Sequence, residues 1–152
     1  QIKEKLIKNT GLGNERIEHI GSTSIKNMPA KPIIDILIGI DDLALVNKRF
    51  IDALDTVGFK RLKIKRPSEI VFAKFEDDTF QVKTHYIHLV NFDGELWNNL
   101  IFFRDYLNTH EIARAEYLRV KKEYLNKKDT GIKEYTDYKE SFVKEILTRR
   151  GK

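Results

Sequence analysis

The stretch EHIGSTSIKNMPAKPIIDILIGI, residues 18–40, decides how the chain folds and carries its strongest chemical signal. Gly21, Ser22 and Thr23 make a small-residue turn whose hydroxyls can cap it, leaving backbone N–H groups to face an anion. Pro29 and Pro32 bar any long helix between that turn and the next element. Residues 32–40 then read as a strand, because Ile33, Ile34, Ile36, Ile38 and Ile40 favour an extended backbone. Side chains alternate along a strand, so Ile34, Ile36, Ile38 and Ile40 share one face and Ile33, Asp35, Leu37 and Gly39 the other. Asp35 therefore stands alone on a partly apolar face. An unpaired buried carboxylate loses several kcal/mol of solvation and protonates instead, so Asp35 needs a cation, a metal or several donors. Two readings stay open: a functional carboxylate, or an ion pair with Lys31, His19 or a helical Lys or Arg.

Working outward, residues 16–20 read as a short strand ending at Gly21. Downstream, Asp41 and Asp42 offer an N-cap, and Leu43, Val46, Phe50, Leu54 and Val57 recur at helical spacing until Gly58. Residues 59–65, 70–76 and 80–92 read as three more strands, joined by turns at Pro67-Ser68 and Asp77-Asp78. From Glu95 the period becomes helical. Leu96, Leu100, Phe103 and Leu107 form one stripe; Ile112, Ala115, Leu118 and Leu125 a second; Tyr135, Tyr138, Phe142 and Ile146 a third. Such stripes bury against a sheet. The expectation is a single α/β (α+β) domain over residues 1–152. Its mixed or antiparallel sheet with flanking helices occupies residues 1–92, and packed helices occupy residues 93–152.

The composition, 41% hydrophobic and 34% charged, is that of a folded globular protein, and no apolar run approaches a bilayer span. With no cysteine, disulfides and thiolate metal sites are excluded, which suits a cytoplasmic location. No Lys/Arg-led apolar segment with a small-residue cleavage site is read at residues 1–20. Met28 is the one methionine, so Gln1 is expected not to be a translation start. A net charge of +5 fits a polyanionic partner and an ordinary basic surface alike. The run KRLKIKR, residues 60–66, can follow a nucleic-acid backbone, but without interleaved aromatics it reads better as a charged edge strand.

HIGSTS at 19–24 and AKPIIDILI at 30–38 resemble the signature of the GrpB-like family. HLV at 88–90, FFRDYL at 102–107, Tyr117 with Lys121, and Tyr135 with Lys139 and Phe142 extend the resemblance over nearly the whole chain. The family is similar in fold to the nucleotidyltransferase superfamily and is sometimes joined to a dephospho-coenzyme A kinase. That resemblance implies a Gly-Ser turn, a spacer, and a strand bearing an Asp-x-Asp pair that holds a divalent cation such as Mg²⁺. The spacer fits, but Leu37 stands where the second carboxylate belongs, and leucine cannot ligate a metal. A one-metal or metal-free site follows. The family commonly shows His-x-His on the later strand, where this chain has Tyr86 and His88.

The expected site is accordingly a cleft for a nucleotide or other phosphorylated small molecule. Asp35 and His88 are its catalytic candidates, with Asp35 as the metal ligand or the acceptor of a substrate hydroxyl. Gly21, Ser22, Thr23, Lys31, Arg104, Lys121 and Lys139 would hold phosphate, and His19, Tyr86 and Asp105 would support them. If the protein is an enzyme, nucleotidyl or phosphoryl transfer is the reaction type. The alternative is a non-catalytic binding or regulatory module with a degenerate metal site, and RNA association through the basic run is a third reading. His88 could equally be a satisfied structural histidine, and Arg104 could pair with Asp35 to tie helix to sheet.

Overall fold

A computed structural model describes residues 2–29, 32–64, 66–126 and 132–150. Five strands, β1 (Ile17–Ile20), β2 (Ile34–Ile40), β3 (Phe59–Arg61), β4 (Ile70–Phe75) and β5 (Lys83–Asn91), form one sheet ordered β1-β2-β5-β4-β3. The helices are α1 (Ile2–Thr10), α2 (Lys48–Thr56), α3 (Glu95–Thr109), α4 (Glu111–Asn126) and α5 (Ile132–Leu147). The β2–β5 pair is parallel and the other pairs are antiparallel. This is the expected mixed sheet flanked by helices, with a helical C-terminal half. None of the described helices is long and apolar enough to cross a membrane.

The isoleucine alternation of β2 sorts the layers. Ile36, Ile38 and Ile40 join Ile17, Phe72, Ile87 and Leu89 against Leu6 of α1 and Leu54 of α2. On the opposite face Leu37 packs with Ile20, Val90 and Trp97, the last from α3. A third cluster knits the helices together: Leu107, Ala113, Tyr117, Phe142 and Ile146 close over Ile25. Each fully buried aliphatic side chain contributes about 1.5–3 kcal/mol, so the strand carrying Asp35 is anchored on both faces.

Several expectations need correction. No helix was expected before residue 16, yet α1 occupies residues 2–10 and buries Leu6. The helix expected from Leu43 is two pieces. Asp42 caps only a 3-10 turn, Leu43–Leu45, and Asn47 caps α2 by accepting from the Phe50 N–H at 3.0 Å. Asn47 offers its backbone a local side-chain bond in an extended conformation, and that competes with a continuous helix. The α4 stripe is on a different face: Ile112 is 86% exposed and Ala115 is exposed, while Ala113 and Tyr117 face the core. Leu125, Tyr135 and Tyr138 have side chains outside the described residues. Finally, of the strand expected over residues 59–65, Phe59–Arg61 is strand among the described residues, so Lys60 and Arg61 of the basic run lie on the sheet-edge strand, as edge protection requires. Lys60 pairs with Asp55 and Arg66 with Glu69, while Lys65 lies outside the described residues.

Candidate functional site

The turn after β1 and the middle of β2 meet because β1–β2 register places Ile20 opposite Asp35. Gly21 follows at φ 77°, ψ −178°, a backbone conformation essentially restricted to glycine. A Cβ there would stand 3.0 Å from the Asp35 Cβ and Cγ and nearer still to Oδ2, so the missing side chain admits the carboxylate. The 3-10 turn Ser22–Ser24 is closed by the Ser24 N–H to Gly21 O at 3.0 Å and the Ile25 N–H to Ser22 O at 3.2 Å. One such turn has little dipole of its own, so counter-charge for any anion has to come from side chains.

Asp35 is answered by His88. His88 Nε2 lies 3.1 Å from Asp35 Oδ1, and its Nδ1 lies 3.3 Å from Glu69 Oε1. Arg66 Nη1 in turn donates to Glu69 Oε1 at 2.8 Å. Burial opposes the imidazolium, but hydrogen bonding to Asp35 and Glu69 outweighs it and pushes the His88 pKa up to about 9. The His88 hydrogen bond likewise holds the Glu69 carboxyl below its ordinary value, against the effect of burial. At neutral pH His88 therefore donates from both nitrogens.

These residues do not fit a divalent cation. One Asp35 oxygen accepts from His88 and the other lies against Gly21. The register neighbour of Asp35 on β5 is Tyr86, and Leu37 is 0% exposed among Ile20, Val90 and Trp97. Among the described residues, no group of three or more His, Asp and Glu is arranged to hold a metal.

Lys121, reaching down from α4, donates to Ser22 Oγ at 2.6 Å and to Pro29 O at 3.1 Å. Its ammonium lies 5.2 Å from the Tyr117 ring centroid, and the Tyr117 hydroxyl is 3.5 Å from Ser22 Oγ. Partial burial and the nearby Lys139 push the Lys121 ammonium below its ordinary pKa. Among the described residues no carboxylate pairs with Lys121. Lys139 is exposed on α5, and Lys31 lies outside the described residues.

Arg104 is committed elsewhere. Its Nη1 donates to Glu18 Oε1 at 2.8 Å and to His19 O at 3.0 Å, and its Nε to Asp105 Oδ1 at 3.0 Å. It ties α3 to β1 through Glu18, so the anticipated Arg104–Asp35 pair is replaced by His88–Asp35. His19 Nε2 is 2.8 Å from Thr23 Oγ1, and partial burial with the Arg104 charge lowers its pKa. Tyr86 flanks the relay, its ring centroid 6.3 Å from that of His88.

Two residues that sequence reasoning passed over complete the site. Glu69 is the buried carboxylate of the relay, and Asn108 stitches α3 to the turn by donating to Ser24 O at 3.0 Å and accepting from the Lys26 N–H at 2.9 Å. Only the β4–β5 register, with Val71 opposite His88, brings Glu69 to that face. A separate cleft of about 690 Å³ opens beyond the other end of β2, lined by Lys8, Arg16, Asp42, Asn47 and Phe50 among others. None of the site residues described above lines it.

Comparison with known proteins bears on family and fold. A family profile described as GrpB protein matches residues 1–149. The glutamate-rich protein GrpB of Alkalihalophilus pseudofirmus is 40% identical over 148 residues, covering 95% of this chain and 85% of that one. A UPF0157 protein of Halalkalibacterium halodurans is 31% identical over 140 residues, covering 91% and 69% of the two chains. The crystal structure of conserved protein GrpB from Enterococcus faecalis superposes with a TM-score of 0.76 at 24% identity, covering 100% of this chain and 93% of that one, which bears on the fold alone. By sequence match over almost its whole length, the chain belongs to the GrpB family.

Proposed function

We propose that this protein binds a phosphate-bearing small molecule, such as a nucleotide, where the Gly21 turn, Asp35 and Lys121 converge. The observation that carries the reading is Lys121. A partly buried ammonium with no carboxylate partner among the described residues, hydrogen-bonded to Ser22 and flanked by a second lysine, is a positive charge open to an anion. Keeping it there is costly unless an anion completes it. Ser22 and Thr23 supply hydroxyls on the same turn, and Asp35 lies beside them as an acceptor for a ligand hydroxyl. Transfer of a nucleotidyl or phosphoryl group is the further step of this proposal. It is read separately, by product formation.

A non-catalytic binding or regulatory module is the second reading. The fully buried Leu37 in place of a second carboxylate favours it, because triphosphate chemistry commonly relies on paired metals. Isothermal calorimetry with inorganic phosphate, a nucleoside monophosphate and a nucleoside triphosphate tests the binding step. Saturable binding that Lys121→Met abolishes supports it; heats indistinguishable from dilution for all three would remove it.

A further inference from the structure

We infer that this site works without a divalent cation, with His88 as the hydrogen-bond partner of Asp35 and with Glu69 and Arg66 as the residues that hold His88 there. Charges alternate from the surface into the cleft: Arg66, Glu69, His88, Asp35, joined at 2.8, 3.3 and 3.1 Å. Magnesium ordinarily bridges carboxylates and substrate phosphates in a near-octahedral oxygen shell. Asp35 is a lone carboxylate with one oxygen on His88 and the other against Gly21, and the fully buried Leu37 stands where a second carboxylate would be needed. Both ring nitrogens of His88 already face carboxylate oxygens, so neither is turned to a metal.

The relay is built by the sheet. Val71 pairs with His88 across β4–β5, so Glu69, two residues earlier on the same face, points along the strand towards the imidazole. The bridge between Arg66 and Glu69 closes the turn at Pro67-Ser68 and puts the guanidinium on the same carboxylate oxygen. Glu69 is only 8% exposed, and a carboxylate so buried stays ionised only with such partners. The Asp35 carboxylate, 29% exposed, is thereby neutralised from behind while its open side faces the turn. Phosphate would then meet Lys121 and Ser22 without electrostatic opposition from Asp35, which is the service a metal performs in a site with paired carboxylates.

The inference refines the anion-site reading, but its metal arm stands apart from it. Manganese titrated into the full chain is followed by the electron paramagnetic resonance of free Mn²⁺. The expected result is a free signal no lower for the wild type than for Asp35→Asn. Stoichiometric loss of signal with the wild type, absent in Asp35→Asn, would overturn the inference even if phosphate binds. In the second arm, inorganic phosphate is titrated in chelator and again in excess Mg²⁺. Equal affinities are expected, with His88→Gln and Glu69→Gln each weakening binding about tenfold. Affinity that appears only with Mg²⁺ overturns the inference. No phosphate binding in either buffer, with the Mn²⁺ signal intact, removes the anion reading and leaves the metal-free centre standing. The wild-type comparisons need no folded variant of His88.

Discussion

Gly21 and Asp35 are in contact: the carboxylate occupies the space a side chain on residue 21 would fill. The contact depends on a backbone at φ 77°, ψ −178°, so position 21 is constrained twice. Gly21→Ala should cost about 1–3 kcal/mol from the backbone alone and more from the clash. Urea denaturation measures it. A variant as stable as wild type would mean that Asp35 swings freely away from the turn.

Stability should depend on pH in a specific way. His88 has a folded pKa of about 9 against an ordinary 6.5, so its contribution is complete below 6.5 and is lost as pH rises through 9. Glu69 is depressed, so its contribution is present above the ordinary carboxyl range and is lost on acidification through its folded value. The relay is therefore strongest in mildly acidic to neutral solution. The His88 part is worth on the order of 3 kcal/mol. Unfolding free energies of wild type and His88→Gln should converge as pH rises from 6.5 to beyond 9; a constant difference would show that His88 is not charged in the fold.

Lys121→Met separates binding from structure. Methionine keeps an apolar stem against Tyr117 and removes an ammonium that is costly to bury. The melting temperature should stay level or rise, while phosphate affinity falls at least tenfold, the loss of about one charge-assisted contact. A variant that melts early yet still binds phosphate would make Lys121 structural.

Leu37 should not accept the carboxylate that the nucleotidyltransferase pattern places there. Leu37→Ala is expected to cost about 2–5 kcal/mol, since the side chain is fully buried with Ile20, Val90 and Trp97. Leu37→Asp should cost more and should not recruit Mg²⁺. A folded, Mg²⁺-stabilised Leu37→Asp protein, seen in a thermal melt with and without the ion, would reverse this.

Arg104 is expected to act on stability, not on binding. Arg104→Lys retains charge but cannot reach Glu18, His19 O and Asp105 together, and should cost about 1–3 kcal/mol. Hydrogen exchange should quicken in β1 and α3 while phosphate affinity holds. Unchanged exchange with weakened binding would return Arg104 to the ligand.

Much of this molecule was legible in the linear order of residues. The isoleucine alternation of β2 predicted a strand with Asp35 and Leu37 on one face, and the strand buries Leu37 completely. The α3 stripe was correct in part: Leu107 is buried and Leu96, Leu100 and Phe103 pack on the cores, but α3 meets both the sheet and the other helices, and the buried Trp97 lay outside the stripe. The α4 stripe was not, because α4 packs on α3 and α5 through Ala113 and Tyr117, and a periodicity that counts only aliphatics passes over a buried tyrosine. Asn47 was missed as a cap because Asp42 offered the same chemistry earlier.

What the sequence determined by itself is local: which residues alternate, where glycine and proline interrupt, and that a single carboxylate must find a partner. Which partner it finds was settled by strand order alone. Placing β5 between β2 and β4 sets His88 between Asp35 and Glu69, residues separated by dozens of positions in the chain. Hydrogen bonds of this kind act over about 3 Å of space irrespective of distance along the chain, so only the assembled fold could decide that Asp35 answers to His88 and that Lys121 reaches Ser22.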